Sequence, residues 1–371
     1  MQIEQREWNE QGASPRTLRN ANLVLVFGSG ALLERHCATL RHDYPEAQLI
    51  GCSTAGEICG EHVLDDSLVS TALRFDKTSL RVVRYPLPAS LDIRELGRSL
   101  SEGLLGPDLQ HVFVLCDGIH INGSKLVEGM TQMLPKEVAI TGGLAGDGDR
   151  FIRTHLLTGT GVLDGGGVAI GFYGTSLHVG YGSLGGWDAY GPKRRVTKSS
   201  GNILVELDGR NALAIYKDYL GDYARGLPAS ALLFPLSMEA EDNRVVVRTI
   251  LGIDEAAQSM RFAGDMPEGS LVRFMRANFD RLVEGAMGAA KSTSLGNGET
   301  VPELAVLISC VGRKLVLGQR VEEEVEGVRT VLGPKPVLAG FYSYGEISPF
   351  APDAACAFHN QTMTITTFAE T

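Results

Sequence analysis

The sequence lacks the cysteine patterns that build disulfide frameworks or zinc sites, because none of its cysteines forms a Cys-x-x-Cys pair and most have apolar neighbours. The six scattered cysteines are Cys37, Cys52, Cys59, Cys116, Cys310 and Cys356. We expect them to be reduced thiols. No apolar run approaches the roughly 18 residues of a membrane span, and the polar start of the chain carries no secretory signal. We therefore expect a cytoplasmic protein that does not insert into a membrane.

Positive charge is also scarce. The chain has 34 Lys and Arg against 44 Asp and Glu, which gives a net charge of -10. Nucleic acids and anionic membrane surfaces both favour clustered positive charge, so neither is expected as a partner. Hydrophobic residues make up 44% of the chain, as in folded globular proteins. Because 371 residues exceed one ordinary core, we predict a polar tail (1–21) and two modules (22–189 and 190–371).

The motifs of nucleotide binding and hydrolysis are missing as well. The chain contains no G-x-x-x-x-G-K-[ST], G-x-S-x-G or H-E-x-x-H sequence, and the glycines at 159–171 lie between predicted strands. We therefore predict no enzymatic activity. The alternative is an enzyme whose catalytic residues come together from distant positions.

Hydrophobic periodicity predicts an α/β fold in which both modules have mixed β-sheets flanked by helices. In the first half we predict strands at 22–28, 48–52, 68–75, 80–85, 112–116 and 138–141, with helices at 31–41, 91–105 and 124–134. In the second half we predict strands at 203–207, 231–236, 245–251, 270–275, 304–309, 336–342 and 362–368, with helices at 211–220, 278–291 and 321–331. Between them, 168–187 (VAIGFYGTSLHVGYGSLGGW) is typical of a glycine-punctuated antiparallel hairpin.

One internal similarity is conspicuous. PEAQLIGCSTAGEI (45–58) aligns without gaps with PKPVLAGFYSYGEI (334–347). In each copy an apolar strand leads into a turn of small and hydroxyl residues, and loops at strand ends commonly present binding groups. The candidate ligand-binding residues are Ser53, Thr54, Glu57, Tyr342, Ser343 and Glu346. Hydroxyls and loop N–H groups could hold a carboxylate and a glutamate an ammonium group; alternatively, both glutamates cap a turn or a helix.

A weaker pair is GGLAGD (142–147) and RFAGD (261–265). The two motif types occur in opposite order in the two halves, so a plain tandem duplication is not indicated. We interpret the Ala-Gly-Asp sequences as structural turns.

Two histidines are candidates for metal ligation. His120 lies in the turn DGIHING, and His359 lies in AFHNQTMTIT before the last predicted strand. A single histidine is more often a core or capping residue than a ligand, so the pattern alone does not decide between these roles.

Several of these segments, in this order, resemble the FIST family. LIGCSTAGEI, DGIHINGSKLVEG and ITGGLAGDGDRF resemble its first half, and LVELDGRNALAIYKDYLG, RTILGID, GFYSYGEI and HNQTMTIT resemble its second half. The resemblance covers about residues 22–371. It implies an intracellular input module that binds a small ligand, for which amino acids have been the general proposal, and that modulates a separately encoded signalling enzyme.

Within the family, DGIHINGSKLVEG, YGSLGGWDAYGP and FAGDMPEGSLVRFM are similar to the NosP subgroup. That similarity implies a haem-based nitric-oxide sensor that regulates a histidine kinase in a two-component system controlling biofilm behaviour. The expected axial ligand of the haem iron is His359, followed by His120. No Cys-x-x-Cys-His sequence is present, so the haem would be non-covalent. An amino-acid sensor and an undetected enzyme are the alternatives, and a homo-oligomer is left open.

Overall fold

The computed structural model describes residues 1–87, 92–239, 245–293, 300–350 and 354–371. The strands are β1 (Gln2–Asn9), β2 (Gly12–Ala13), β3 (Leu23–Gly28), β4 (Gln48–Ser53), β5 (Glu57–Cys59), β6 (His62–Leu64), β7 (Leu68–Arg74), β8 (Ser79–Tyr85), β9 (Leu109–Cys116), β10 (Ala139–Leu144), β11 (His155–Thr158), β12 (Gly161–Asp164), β13 (Gly167–Tyr173), β14 (Leu177–Leu184), β15 (Asp188–Ser200), β16 (Ile203–Leu207), β17 (Arg210–Asn211), β18 (Leu236–Glu239), β19 (Val245–Arg248), β20 (Ile250–Asp254), β21 (Ser259–Phe262), β22 (Leu271–Arg276), β23 (Leu304–Cys310), β24 (Val337–Ser343), β25 (Gly345–Pro349), β26 (Cys356–His359) and β27 (Met363–Glu370).

The α-helices are α1 (Gly30–Asp43), α2 (Ile93–Glu102), α3 (Gly123–Met133), α4 (Ala212–Leu220), α5 (Phe279–Ser292), α6 (Val311–Leu317) and α7 (Glu322–Leu332). Short 3-10 turns lie at Gly221–Gly226, Ala229–Leu233 and Gly318–Arg320. Asparagine caps three of the α-helices: Asn122, Asn211 and Asn278 each accept a hydrogen bond from a first-turn backbone N–H of α3, α4 and α5.

Three of the sheets share one topology. Their strand orders are β12-β11-β4-β3-β7-β1-β2 in the first sheet, β26-β25-β10-β9-β13-β8 in the second and β6-β5-β24-β23-β27-β14 in the third. Each contains one parallel pair joined by helix, namely β3 with β4, β9 with β10 and β23 with β24. All other pairings in these sheets are antiparallel, so the predicted α/β fold with mixed sheets is confirmed.

The chain passes from sheet to sheet at three crossovers, which we number in chain order: the first follows β4, the second follows β10 and the third follows β24. After β4 it enters the third sheet as β5, which pairs with β24. After β24 it enters the second sheet as β25, which pairs with β10. After β10 it enters the first sheet as β11, which pairs with β4. The three sheets are therefore linked in a closed ring with approximate threefold symmetry.

One glycine in each sheet supports this equivalence. Gly51, Gly142 and Gly340 lie opposite Val26, Val114 and Leu307 in the three parallel pairs. A Cβ at these glycines would lie 2.0, 1.9 and 1.8 Å from the carbonyl oxygen of the opposing residue, so only glycine fits. The similarity between 45–58 and 334–347 is thus two copies of one structural element, and GGLAGD is the third.

The three sheets meet around a central apolar core. It includes Phe27 of β3, Phe113 of β9, Ile308 of β23 and Phe341 of β24, all buried. The helices cover the outer faces, with α2 and α3 on the second sheet and α5 and α7 on the third. The parallel pairs lie at the centre of the molecule, where their near-continuous apolar sequences are buried on both faces.

A fourth sheet is inserted between β14 and α5. Its order is β19-β18-β22-β15-β16-β21-β20, and α4 packs on it through Leu213 and Tyr216. We call this part the small sheet. The boundary predicted at residue 190 falls inside its first long strand, β15. The second and third sheets each contain strands from both halves of the sequence.

Three local predictions differ from the structure. The stretch 168–187 does not form a hairpin, because β13 pairs with β8 and β9 whereas β14 pairs with β27 in another sheet. The predicted tail contributes β1, which pairs with β7. The strand predicted at 231–236 is a 3-10 turn followed by β18. The first two differences arise from partner strands distant in the sequence, which local periodicity does not reveal.

Candidate functional site

Glu57 begins β5 and is buried. Its Oε1 accepts a hydrogen bond from the Thr54 hydroxyl, and its Oε2 accepts bonds from Ser67 Oγ at 2.6 Å and Ser67 N at 3.3 Å. Burial raises the pKa of Glu57 to about 7, although the bonds from Ser67 and Thr54 act in the opposite direction. The carboxyl group ties the first crossover to the start of β7.

Glu346 is bound in the same way at the third crossover. Its Oε1 accepts a bond from Ser343 Oγ at 2.7 Å, and its Oε2 accepts bonds from Thr362 Oγ1 at 2.8 Å and Thr362 N at 3.2 Å. Burial raises the pKa of Glu346 to about 8. Both glutamates therefore bind a hydroxyl three residues earlier and one residue just before an antiparallel strand.

The structure brings the six residues of the two similar segments close together. The backbones pair directly, since Ala55 N donates to Tyr342 O at 2.8 Å and Tyr342 N donates to Gly56 O at 2.8 Å. Ser53 Oγ donates to Gly146 O at 2.7 Å, and Tyr342 OH donates to Glu324 at 2.8 Å. These hydrogen bonds fix the crossovers, and the ligand-binding role of the six residues stays a prediction.

The second crossover has no such glutamate. Asp147 instead binds its own loop, accepting bonds from the Arg150 side chain at 2.6 Å and from Arg153 N at 3.2 Å. The loop places Phe151 against Tyr344, with ring centroids 4.2 Å apart and planes at 15°. This stacked pair forms one wall of a cleft.

We call this space the junction cleft, because it lies between the second sheet and the small sheet. It encloses about 200 Å³. Its lining residues are Gly118, Ile119, His120, Ile121, Asn122, Leu144, Phe151, Asn202, Leu251, Arg261, Phe262, Ala263 and Tyr344. Apolar and aromatic side chains share the lining with the polar side chains of His120, Asn122, Asn202 and Arg261, and small-molecule sites commonly combine the two kinds.

His120 lies at the edge of the junction cleft and is held by Asp117. The Asp117 carboxylate accepts bonds from the backbone N of Ile119 and of His120, both at 2.7 Å, and lies 3.2 Å from His120 Nδ1. In the described ranges, no hydrogen bond engages His120 Nε2. A carboxylate behind one ring nitrogen is the usual support of a metal-ligating histidine.

The small sheet is joined to the second sheet beside this cleft. Asn122 Nδ2 donates to Asp265 Oδ1 at 2.7 Å, and buried Arg248 donates to Asp265 O at 3.3 Å and to Phe358 O at 3.2 Å. Burial lowers the pKa of Arg248 to about 10. The RFAGD sequence, interpreted above as a structural turn, therefore supplies both a joint and, through Arg261, a cleft wall.

His359 is in a different environment. It is 1% exposed, its Nε2 is 2.7 Å from Ser348 O, and its ring packs edge-on against Phe350 with centroids 4.4 Å apart. A haem iron needs a ring nitrogen that faces an open apolar space, and Nε2 is already committed to a carbonyl. The Nε2 of His359 is therefore not available to an iron in this arrangement, whereas His120 Nε2 makes no such bond within the described ranges; haem ligation by either histidine stays a prediction.

Sequence reasoning did not select Asp117, Phe151, Arg261 or Tyr344. DGIHING and RFAGD were the available signals, but nothing in the sequence shows that they face each other. Throughout the described ranges, no cluster of three or more His, Cys, Asp or Glu is arranged to hold a metal ion. Nor does any helix in those ranges have the length and apolar character needed to cross a membrane.

Comparisons with known proteins identify the family of the chain. The FIST N domain model matches residues 22–210, and the FIST C domain model matches residues 212–349. A search of curated proteins finds no match. One similar solved structure is a crystal structure of chorismatase, at 10% identity and a TM-score of 0.38, covering 99% of this chain and 98% of that one. A likeness of that degree says nothing about activity.

The two domain models together span most of the chain, and the protein belongs to the FIST family, whose domains are small-ligand sensing modules in signal transduction.

Proposed function

We propose that the protein senses a small ligand in the junction cleft and reports binding through the position of the small sheet. The observation that supports this is the dual origin of the walls. Tyr344 and His120 belong to the three-sheet core, whereas Phe262 and Arg261 belong to the small sheet. A ligand that touches both parts has different affinity for their different arrangements, which is the requirement for a sensor.

The first ligand that we propose is haem, with nitric oxide as the signal. His120 would be the axial ligand, because it lies at the edge of the junction cleft, Asp117 holds its Nδ1, and its Nε2 has no hydrogen bond among the described residues. Haem would supply the iron at which nitric oxide binds. The chain would contribute the imidazole, the apolar walls of Ile119 and Leu144, and the stacked Phe151 and Tyr344.

The test is the absorption spectrum of protein expressed with haem available, before and after addition of nitric oxide to the reduced form. We expect a Soret band that shifts with nitric oxide and is lost in His120→Ala. His178→Ala is the control, because His178 lies on β14 and bonds Thr371. A Soret band that survives His120→Ala would refute this ligand assignment, and a flat spectrum after haem titration would exclude haem.

The second candidate is an amino acid, which is favoured by the modest cleft volume of about 200 Å³ and by Arg261 in the wall. Arg261 has no ion-pair partner among the described residues and could hold a carboxylate. Calorimetric titration with free amino acids should show binding that is lost in Arg261→Ala. The control is Arg210→Ala, an exposed arginine elsewhere in the small sheet. Unchanged affinity in Arg261→Ala would rule out this mode.

We propose a separately encoded sensor histidine kinase as the partner. The support is the family assignment, because FIST domains are small-ligand sensing modules in signal transduction. The test measures kinase autophosphorylation with added protein, with and without ligand. A ligand-dependent change that disappears in His120→Ala would support the proposal, and no change with either form would argue against it.

A further inference from the structure

Asn360 and Gln361 form a buried polar pair near the third crossover. Both side chains are 0% exposed. Nevertheless, Asn360 Nδ2 and Oδ1 and Gln361 Nε2 and Oε1 have no hydrogen-bond partner among the described residues. Ser183 Oγ, on β14, is also buried without a partner there. Each buried unsatisfied polar group costs about 1–3 kcal/mol. We therefore expect a ligand or ordered water to bind these side-chain atoms.

The pair lies at the carboxyl ends of the parallel strands β23 and β24. A Cβ on Gly312, at the start of α6, would be 2.4 Å from Gln361 Nε2, and a Cβ on Gly345, after β24, would be 3.5 Å from Asn360 Nδ2. Carboxyl ends of parallel strands are the usual binding edge of α/β sheets. The two amide groups therefore stand where a ligand of such a sheet is expected.

The equivalent position in the first sheet is an open cleft. Cys310 N donates to Thr362 O just as Ser29 N donates to Ser67 O, so Asn360 and Gln361 correspond to Asp65 and Asp66. Asp66 and Gln361 share a positive φ, 49° and 61°. In the first sheet this position opens into a cleft of about 490 Å³ lined by Ser29, Asp65, Asp66 and Ser67.

In the third sheet the same position is covered by the segment that leads into the small sheet. Trp187 Nε1 donates to Gln361 O at 2.8 Å, and Arg313 donates to the carbonyl of Gly185. Trp187 directly precedes β15, the first strand of the small sheet. Opening this cover would therefore displace the start of the small sheet.

The chemistry of the pair favours a neutral ligand. Arg313 and Glu324 are buried nearby and paired with each other at 2.7 Å, and the Glu346 carboxyl group already accepts bonds from Ser343 and Thr362, so none of the three is left as a counter-charge. A buried ligand with net charge would lack compensation. The two amides offer NH₂ donors and carbonyl acceptors side by side, which matches a ligand that itself carries both.

We propose that Asn360 and Gln361 form an occluded binding site for a small neutral carboxamide, covered by Gly185–Trp187. This site is separate from the junction cleft and does not depend on the ligand proposed there. Its occupation would act on the small sheet from the opposite end of β15, so the protein would combine two inputs.

The test is ligand-observed NMR of acetamide with the full chain. We expect saturable binding to the natural protein, and at least about tenfold weaker binding of N,N-dimethylacetamide, which has no N–H donor. In Asn360→Leu/Gln361→Met, acetamide affinity should fall at least about tenfold. Gln110→Met, whose exposed side chain bonds only Asp108 O, should bind acetamide like the natural protein.

Two outcomes would overturn the proposal. Absence of saturable acetamide binding to the natural protein would mean that the pair holds ordered water only, and this arm does not require any variant to fold. Equal binding of acetamide and dimethylacetamide would show that the donors are not used. Acetamide binding should also be unchanged in His120→Ala, which separates failure here from failure of the junction-cleft proposal.

Discussion

The first and third crossovers of the ring differ from the second in one respect that matters for function. Glu57 and Glu346 hold the first and third crossovers with matching sets of hydrogen bonds from hydroxyls and one backbone N–H. The second crossover has Asp147 in a loop that binds itself, and it opens into the junction cleft beside Phe151 and Tyr344.

Two copies of the repeated element therefore stabilise the path of the chain, and the third borders a cleft. A buried carboxyl group with its lone pairs engaged fixes the chain path and has little capacity left for a ligand. A crossover without that group can carry a longer loop, whose aromatic and polar side chains face a cleft. We infer that the copy without the glutamate is the one whose crossover loop can line the junction cleft.

The largest loss of stability is expected from the buried ion pair that contacts Tyr342 at the third crossover. Buried Arg313 and Glu324 are ion-paired at 2.7 Å, and Glu324 also accepts bonds from Ser309 at 3.0 Å and Tyr342 at 2.8 Å. Glu324→Ala leaves a buried charge unpaired and should lower the free energy of unfolding by about 3–5 kcal/mol. The pair of Lys314 and exposed Asp65 at the first crossover is the control. The Lys314 ammonium also donates to Ala55 O at 2.9 Å, so Asp65→Ala should cost only about 0–1 kcal/mol. Urea unfolding of both variants measures the contrast, and equal losses would contradict it.

The second largest loss of stability is expected from replacing the two crossover glutamates, Glu57 and Glu346. Glu346→Ala removes the acceptor of Thr362 N and of two hydroxyls in a buried site, and Glu57→Ala does the same for Ser67 and Thr54. Each should lower the free energy of unfolding by about 2–3 kcal/mol. Asp147→Ala should cost less than about 1 kcal/mol, because its partners are exposed. If Asp147→Ala cost as much as the other two, the three crossovers would be equally structural.

The pH dependence of stability provides a further test of the buried glutamates at the first and third crossovers. The pKa of Glu57 is raised to about 7 and that of Glu346 to about 8, both by burial. The ordinary pKa of a glutamate is near 4.5. Between that pH and a pH of about 7 for Glu57 or about 8 for Glu346, the folded state binds more protons than the unfolded state. The contribution of the two protonated carboxyl groups to the free energy of unfolding is therefore fully present below pH 4.5, and it is lost as the pH rises through 7 and 8. Glu57→Gln/Glu346→Gln should remove a slope of up to about 1.4 kcal/mol per pH unit for each group.

Unfolding by urea at a series of pH values from 5 to 9 measures that slope. The matched control is Glu255→Gln, an exposed glutamate in the small sheet paired with Lys217. Parallel curves for the natural protein and the double variant would show that the two glutamates titrate normally.

The smallest effect on stability is expected at the second crossover. Phe151 is partly exposed and stacks on Tyr344, so Phe151→Ala should change the free energy of unfolding by about 1 kcal/mol or less. The same change removes a wall of the junction cleft and should weaken ligand binding at least about tenfold. Unchanged binding would place the ligand elsewhere.

Sequence reasoning predicted the fold class, the parallel strands and most helices, because long apolar runs and helical spacing are local signals. It also recognised the similarity of 45–58 and 334–347, which the structure shows to be equivalent crossovers. It did not predict that β13 and β14 lie in different sheets, because strand partners far apart in the sequence leave no local trace.

The candidate site was predicted less completely. DGIHING was selected and His120 borders the junction cleft, but His359 was preferred as the haem ligand although its Nε2 is bound to Ser348 O. A histidine before a strand gives no sign of whether its nitrogens are occupied. Burial and hydrogen-bond partners, which decide this, depend on segments that the sequence does not bring together.

The sequence by itself determined that this chain folds into mixed sheets with helices and carries a repeated strand-and-turn element, since composition, periodicity and motif order are properties of neighbouring residues. Only the tertiary structure decided that the element occurs three times in a ring and that one copy lacks the buried glutamate. It also decided that this copy faces the small sheet across a cleft. The physical reason is that burial and pairing are set by contacts between residues hundreds of positions apart, as in the antiparallel pair of Gly143 and Glu346.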